Sequence, residues 1–470
     1  MRLYFGKVFV LLITFLCLGT QPVWANAGPT YWHGYPLSEI LVVDENCPVE
    51  VAEEKLLLDF SQGSKGDHTV RGQVMASYQM VNPTDDRLSV QMAFPFVNSI
   101  MGFSPEDVAI TVDGNPVPFD LFLGSQRVND GYRIEPDEVS FAFGNILETL
   151  NVRDYRPEAF APDEKGTLYT VEVSPMSEQE INFAVEFTLE QDQTKVLING
   201  FNRYGIQGSS VRIAAWCDRQ ETLEIFVLGD KPDFSFRGYI DGELTEETNL
   251  FSYEIITEEV GLKSYVLRKA KERLQPWPEG LTEQLYNIYS EALDRQFANN
   301  SGLIEVYDFL SEDRRDRVMA MVYTVDFPAN SERNVSVSYQ GVGTMDRRET
   351  RQPVYSFQYL LNPAQHWGSF GNLEIEVITP EEAPYIIDSS IPLTQERVGY
   401  YTAKLDRLPE GDFLFSIYHK EKISPLEQVF RRLEALKYLA FFFAPFIIPV
   451  ILIGIVAALI KTFAKSWKGQ

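Results

Sequence analysis

TVRGQVMASYQMVNPTDDRLSVQMAFPF, residues Thr69–Phe96, alternates apolar and polar side chains on both sides of one turn-forming cluster. A period of two is the pattern of a strand with one face in a core and one in water. Between the two runs, Asn82-Pro83-Thr84-Asp85-Asp86 carries residues that pre-set φ or cap a turn. The stretch reads as a hairpin or strand pair, and it fixes the class: mainly β, in antiparallel sheets.

The same pattern continues downstream. Val108–Val112 is a strand, Asp113-Gly114-Asn115-Pro116 turns it into Val117–Phe122, and Pro136–Asn151 has the spacing of a short helix. A Pro-rich, charged loop at 152–166 marks a boundary. Strand patterns resume from Thr167 and run to about residue 260. Pro276 and Pro278 then break them, and Leu281, Leu285, Ile288, Tyr289, Ala292, Leu293 and Phe297 recur at helical spacing. A shorter helix is expected over Leu303–Leu310. Strands return at Val318–Phe327, Val354–Leu361, Leu373–Ile378 and Phe413–Tyr418.

Two regions have the same layout. INFAVEFTLEQDQTKVLING at 181–200 matches MVYTVDFPANSERNVSVSYQ at 321–340, and LEIFV at 223–227 matches LEIEV at 373–377. This spacing predicts a duplication: tandem antiparallel β-sandwich, Ig-like modules with a small helical insertion and one C-terminal transmembrane helix. The expected parts are a signal peptide at 1–27, an N-terminal β module at 28–151 and sandwich modules at 166–260 and 317–420. A helical insertion lies at 276–315, a juxtamembrane helix at 425–437, the membrane span at 438–460 and a cytoplasmic tail at 461–470.

The ends carry the topology. Arg2 and Lys7, the apolar run Val8–Leu18 and the small-residue pattern Ala25-Asn26-Ala27 read as a secretory leader. Tyr438–Ile460 has no charge and is long enough to cross a bilayer, so the exported chain would stop there as a single-pass membrane protein. The expected localisation is the cell membrane, with a large ectodomain outside. All acidic residues lie between these ends, and 67 Asp plus Glu against 41 Lys plus Arg make the ectodomain repel nucleic acid.

The chemistry-bearing residues are few. His33, His68, His366 and His419 share no metal-ligand spacing, so neither a metal nor a cofactor is expected. The aromatic N-terminal segment GPTYWHGYPLSEI gives Trp32 and His33 as binding candidates, or else a strap that packs its aromatics on the body. His366-Trp367, in NPAQHWGSFGN, is a second candidate, with Trp367 as a core plug the blander alternative. Cys47 and Cys217 are available for one disulfide of an exported protein, although a 170-residue separation supplies no motif. The acid pairs Glu53-Glu54, Asp85-Asp86 and Glu381-Glu382 read as solvated turns.

VMASYQMVNPTDDRLSVQMAFPF, followed by VDGNPVPFD at 112–120, resembles the start of vault-protein/inter-alpha-trypsin modules, in which an Asn after a strand, an FP pair and a DG turn recur. YSFQYLLNPAQHWGSFGNLEIEVITPEEAPYIIDSS, at 355–390, is similar to bacterial secreted proteins of unknown function with a leader, a β-rich ectodomain and a C-terminal anchor; that likeness implies no activity. The expected function is non-catalytic: binding an envelope protein or cell-surface ligand, or serving in a membrane complex. The rival is an envelope hydrolase with acidic residues in a cleft.

Overall fold

Two long arches, rather than hairpins, build the first of two β bodies. The computed structural model describes residues 30–43, 47–64, 68–126, 143–150, 153–191, 193–275, 277–278, 280–299 and 302–424. Strand Arg71–Asn82 alternates as its sequence dictates, with Val74, Ala76, Tyr78 and Met80 buried. It does not pair with Leu88–Ser99, and the hairpin expectation fails there: the turn carries the chain into a different, facing sheet. Asn82 holds the turn, its Nδ2 donating to Asp86 O at 2.8 Å and Pro328 O at 2.9 Å. A second arch, Asp316–Phe327 and Ser331–Val342, stacks on the first, so that each strand pairs along its length with its counterpart.

This pairing corrects the expected modules. The N-terminal strands and those after residue 316 share the same sheets, in an eight-stranded, a four-stranded and a five-stranded array, and are not separate domains. Strand Asp316–Phe327 is covered on both faces, which explains its nearly unbroken apolar run. Met321, Tyr323, Val325 and Phe327 enter the main core, while Val318, Ala320 and Val322 pack with Ile146 of helix Phe143–Leu150.

The second body comes from one segment. Strand Lys165–Pro175 lies between Phe251–Gly261 and Glu221–Gly229 in one five-stranded sheet, and Ile181–Thr188 lies inside the facing one. Val171, Val173, Phe183, Val185 and Ile225 fill the space between them. The duplication is not upheld, because matched strands have different neighbours. LEIFV pairs antiparallel with Thr194–Asn199, whereas LEIEV pairs in parallel with Glu50–Asp59 and antiparallel with Tyr400–Leu405.

Helices cover the outer face of the Lys165–Pro175 sheet. Helix Leu262–Arg273 begins before the expected insertion at 276, and its charged sequence hides the face made by Leu262, Tyr265, Val266 and Ala270. Tyr265 stacks on Phe226 at 4.5 Å with 5° between the rings. Helix Thr282–Asn299 buries Leu285, Tyr289, Leu293 and Phe297, and Gln284 bonds the backbone of Leu121 and Leu123 in the first body. Leu303–Glu305 is a short strand, and the second helix is confined to Val306–Leu310. No helix among the described residues is long and apolar enough to cross a membrane. The leader, the expected juxtamembrane helix, the span at 438–460 and the tail lie outside the described residues.

Candidate aromatic patch and buried acid pair

Residues 30–43 form a strap across the first body. Tyr31–Trp32 pairs with Met345–Asp346, Leu37 N donates to Gln358 O at 2.7 Å, and Leu41–Val42 pairs with Met92–Ala93. The sequence lets the backbones meet: a Cβ on Gly34 would lie 2.6 Å from Val342 O, and one on Gly341 would lie 2.6 Å from Leu37. From Leu37 to Val42 the strap is fully buried. Its first residues remain at the surface.

That exposed end gathers rings. Trp32 is 40% exposed and lies 5.4 Å from the His68 ring. His33 stands edge-on to Tyr35 at 5.4 Å, and the Tyr31 hydroxyl is 3.4 Å from His33 Nδ1. The Arg348 guanidinium lies 4.4 Å from the centre of the Tyr31 ring and is forked onto the Asp346 carboxylate, with Nε bonds of 3.0 and 3.1 Å. That fork holds the Asp346 carboxyl below its usual range against the opposing effect of burial, which is the larger single influence. The Arg348 guanidinium covers the Tyr31 ring, which leaves the Trp32 indole as the exposed flat apolar face, suited to a ligand with an apolar face of its own. His68 had no sequence signal tying it to Trp32, nor Arg348 to Tyr31, since each nearness is created by the fold.

The other candidates separate from this patch. His366 ends a 3-10 turn, Asn362–His366, and is half-buried, whereas Trp367 is 5% exposed within the main core. Trp32 is level with Tyr355 near the start of strand Val354–Tyr359, whereas His366 and Trp367 follow its other end. Cys47 is buried in the first core and Cys217 in the second, so the disulfide expectation is corrected: no bridge joins them. Burial pushes the Cys217 thiol up to about 11.

The feature least expected from the sequence lies under the strap. Glu39 and Glu54 are 1% and 0% exposed. The solvated reading holds for Asp85, Asp86, Glu381 and Glu382, all exposed, but fails for Glu54. Its strand places it in phase with buried Leu56 and Leu58, and that alternation was the available signal. Tyr359 donates to Glu54 Oε1 at 3.1 Å, and the Tyr78 hydroxyl lies 3.3 Å from that of Tyr359. Burial drives both carboxyls upward, Glu54 to about 8 and Glu39 well above its usual range, with the neighbouring Glu54 charge adding to the effect on Glu39.

An open groove of about 530 Å³ follows helix Leu262–Arg273, lined by Ser264, Leu267, Arg268, Lys271, Glu272 and Gln275. Its cations have internal partners: Arg268 reaches Glu258 at 3.4 Å, and Lys271 lies over Trp277.

No family model matches the chain, and no curated protein matches it. Among solved structures, one described as a "putative nutrient binding protein" from Legionella pneumophila aligns over 85% of this chain and 84% of its own, at 11% identity and a TM-score of 0.31. A likeness at that level carries no functional argument.

Proposed function

We propose that the chain is a non-catalytic binding protein of a cell envelope, with its β bodies outside the membrane and residues 438–460 as a single-pass anchor. The observation that carries the reading is the exposed Trp32 indole, packed against the His68 ring at the surface end of the strap. An exposed indole face suits the apolar face of a sugar ring. The ligand class is therefore a cell-surface saccharide.

The hydrolase reading has less support. Such an enzyme presents two carboxyls to its substrate, and Glu39 and Glu54, although they converge, are sealed inside the core.

The test is titration of the intact detergent-solubilised protein with soluble envelope saccharides, followed by tryptophan fluorescence. Saturable binding that is lost in Trp32→Ala and His68→Ala, with unchanged melting, is the expected result. No saturable binding, or equal binding by both variants, overturns the reading. Protease shaving of intact cells tests the topology: loss of the β bodies with retention of the tail is expected, and full protection overturns the outside placement.

A further inference from the structure

We infer that docking of the N-terminal strap is coupled to proton uptake by Glu39 and Glu54, so that the strap seats as a protonated acid pair and loosens when the pair ionises. Glu39 lies on the strap and Glu54 on strand Glu50–Asp59, so their meeting exists only while the strap is in place. Both Glu39 carboxyl oxygens and Glu54 Oε2 are buried without a hydrogen-bond donor. Two bare carboxylates would leave all three unsatisfied in an apolar core, which is among the most costly arrangements a protein can hold. One proton on Glu39 changes this, because its O–H then donates to Glu54 across the side-chain contact between them.

The groups facing the pair supply no positive charge. Tyr78 comes from strand Arg71–Asn82, Tyr339 from Ser331–Val342, Tyr359 from Val354–Tyr359 and Asp412 from the loop before Phe413–Tyr418. The Tyr359 hydroxyl, donating to Glu54, eases ionisation of that one carboxyl, but burial is the larger influence and the third carboxyl opposes ionisation of Glu39. Asp412 is itself turned to Gln358 Nε2 at 2.9 Å and Leu361 N at 3.0 Å. Among the described residues no group of three or more His, Cys, Asp or Glu is placed to hold a metal ion, which leaves the proton as the compensating charge.

The linkage has a definite sign. Near and below the ordinary carboxyl range, seated and released straps are both protonated, and pH has no leverage. Above it, the released strap gives up protons to water by breaking carboxyl O–H bonds, while the seated pair keeps them. Each proton then favours release about tenfold per pH unit, until the seated pair itself titrates. Seating would control presentation of Tyr31, Trp32 and His33; only this last consequence rests on the patch being a binding surface.

Hydrogen exchange on the intact protein in detergent, corrected for intrinsic rates between pH 5 and 9, tests the proposal. The strap is reported by the amides of Leu37, bonded to Gln358 O, and Val43, bonded to Gln91 O; Val196, bonded to Gly302 O, reports the second body. The strap's opening constant is expected to rise tenfold to a hundredfold per pH unit, with Val196 unchanged. In the Glu39→Gln, Glu54→Gln double variant this slope disappears. A flat wild-type profile, an unchanged slope in the double variant, or parallel loss of protection in both bodies overturns the inference. If the double variant does not fold, the wild-type profile decides alone. Loss of saccharide binding with the strap slope intact would discard the patch reading and leave this one standing.

Discussion

The second body is made from one continuous stretch of chain, residues 165–305, whereas the first is assembled from residues 30–126 and 316–418, far apart in the chain. The second has a core of aliphatic and aromatic side chains. The first closes over a strap and buries two carboxyls. A body assembled from distant segments depends on long-range closure before its contacts form, and a locally built one does not. The first body is thus the one with parts, the strap above all, whose docking responds to conditions.

The largest effect that would sharpen this comparison is truncation. A chain ending at Arg315 lacks one partner of each strand of the first arch, leaving Arg71–Asn82 only Glu50–Asp59 and Leu88–Ser99 only Leu41–Val42, and we expect exchange protection over 71–82 to vanish while that over 181–188 persists. Protection retained over 71–82 would break the contrast. Next comes the seam between the bodies, where Arg273 is bonded to the fully buried carboxylate of Asp313, with one contact at 3.1 Å. Arg273→Met leaves that charge unpaired and should cost about 3–5 kcal/mol in denaturant unfolding. A change below about 1 kcal/mol would mean that the seam carries little load.

The acid pair gives a smaller, pH-dependent effect. Because its folded carboxyls are raised, stability is greatest below the ordinary carboxyl range and falls as pH rises from about 4.5 toward about 8. The slope should be about 1.4 kcal/mol per pH unit per proton. Melting of Glu54→Gln should lose one proton's share of this slope, and an unchanged slope would place the linkage elsewhere. The smallest effect belongs to the exposed patch: Trp32→Ala should alter stability by less than about 0.5 kcal/mol, and a larger loss would make Trp32 a structural residue of the strap.

Much of the local structure was legible. Alternation in Thr69–Phe96 and the helical spacing of Leu285, Tyr289, Leu293 and Phe297 give strand and helix because each reports which side of one element faces the core. The aromatic strap was legible as a segment, and Trp32 as one of its candidates. Helix Leu262–Arg273 was missed because its charges mask its apolar face, with Lys269 buried against Glu224 at 3.0 Å.

The sequence by itself determined the class of element along most of the described chain and the phase in which each strand turns its side chains. Only the tertiary structure decided which strands are neighbours, because any two alternating strands offer the same backbone donors and acceptors. That choice turned an expected hairpin into stacked arches and brought His68 to Trp32. It also set Glu54 against Glu39: a glutamate in a strand is solvated or buried according to what covers its face, and here the cover is a strap from elsewhere in the chain.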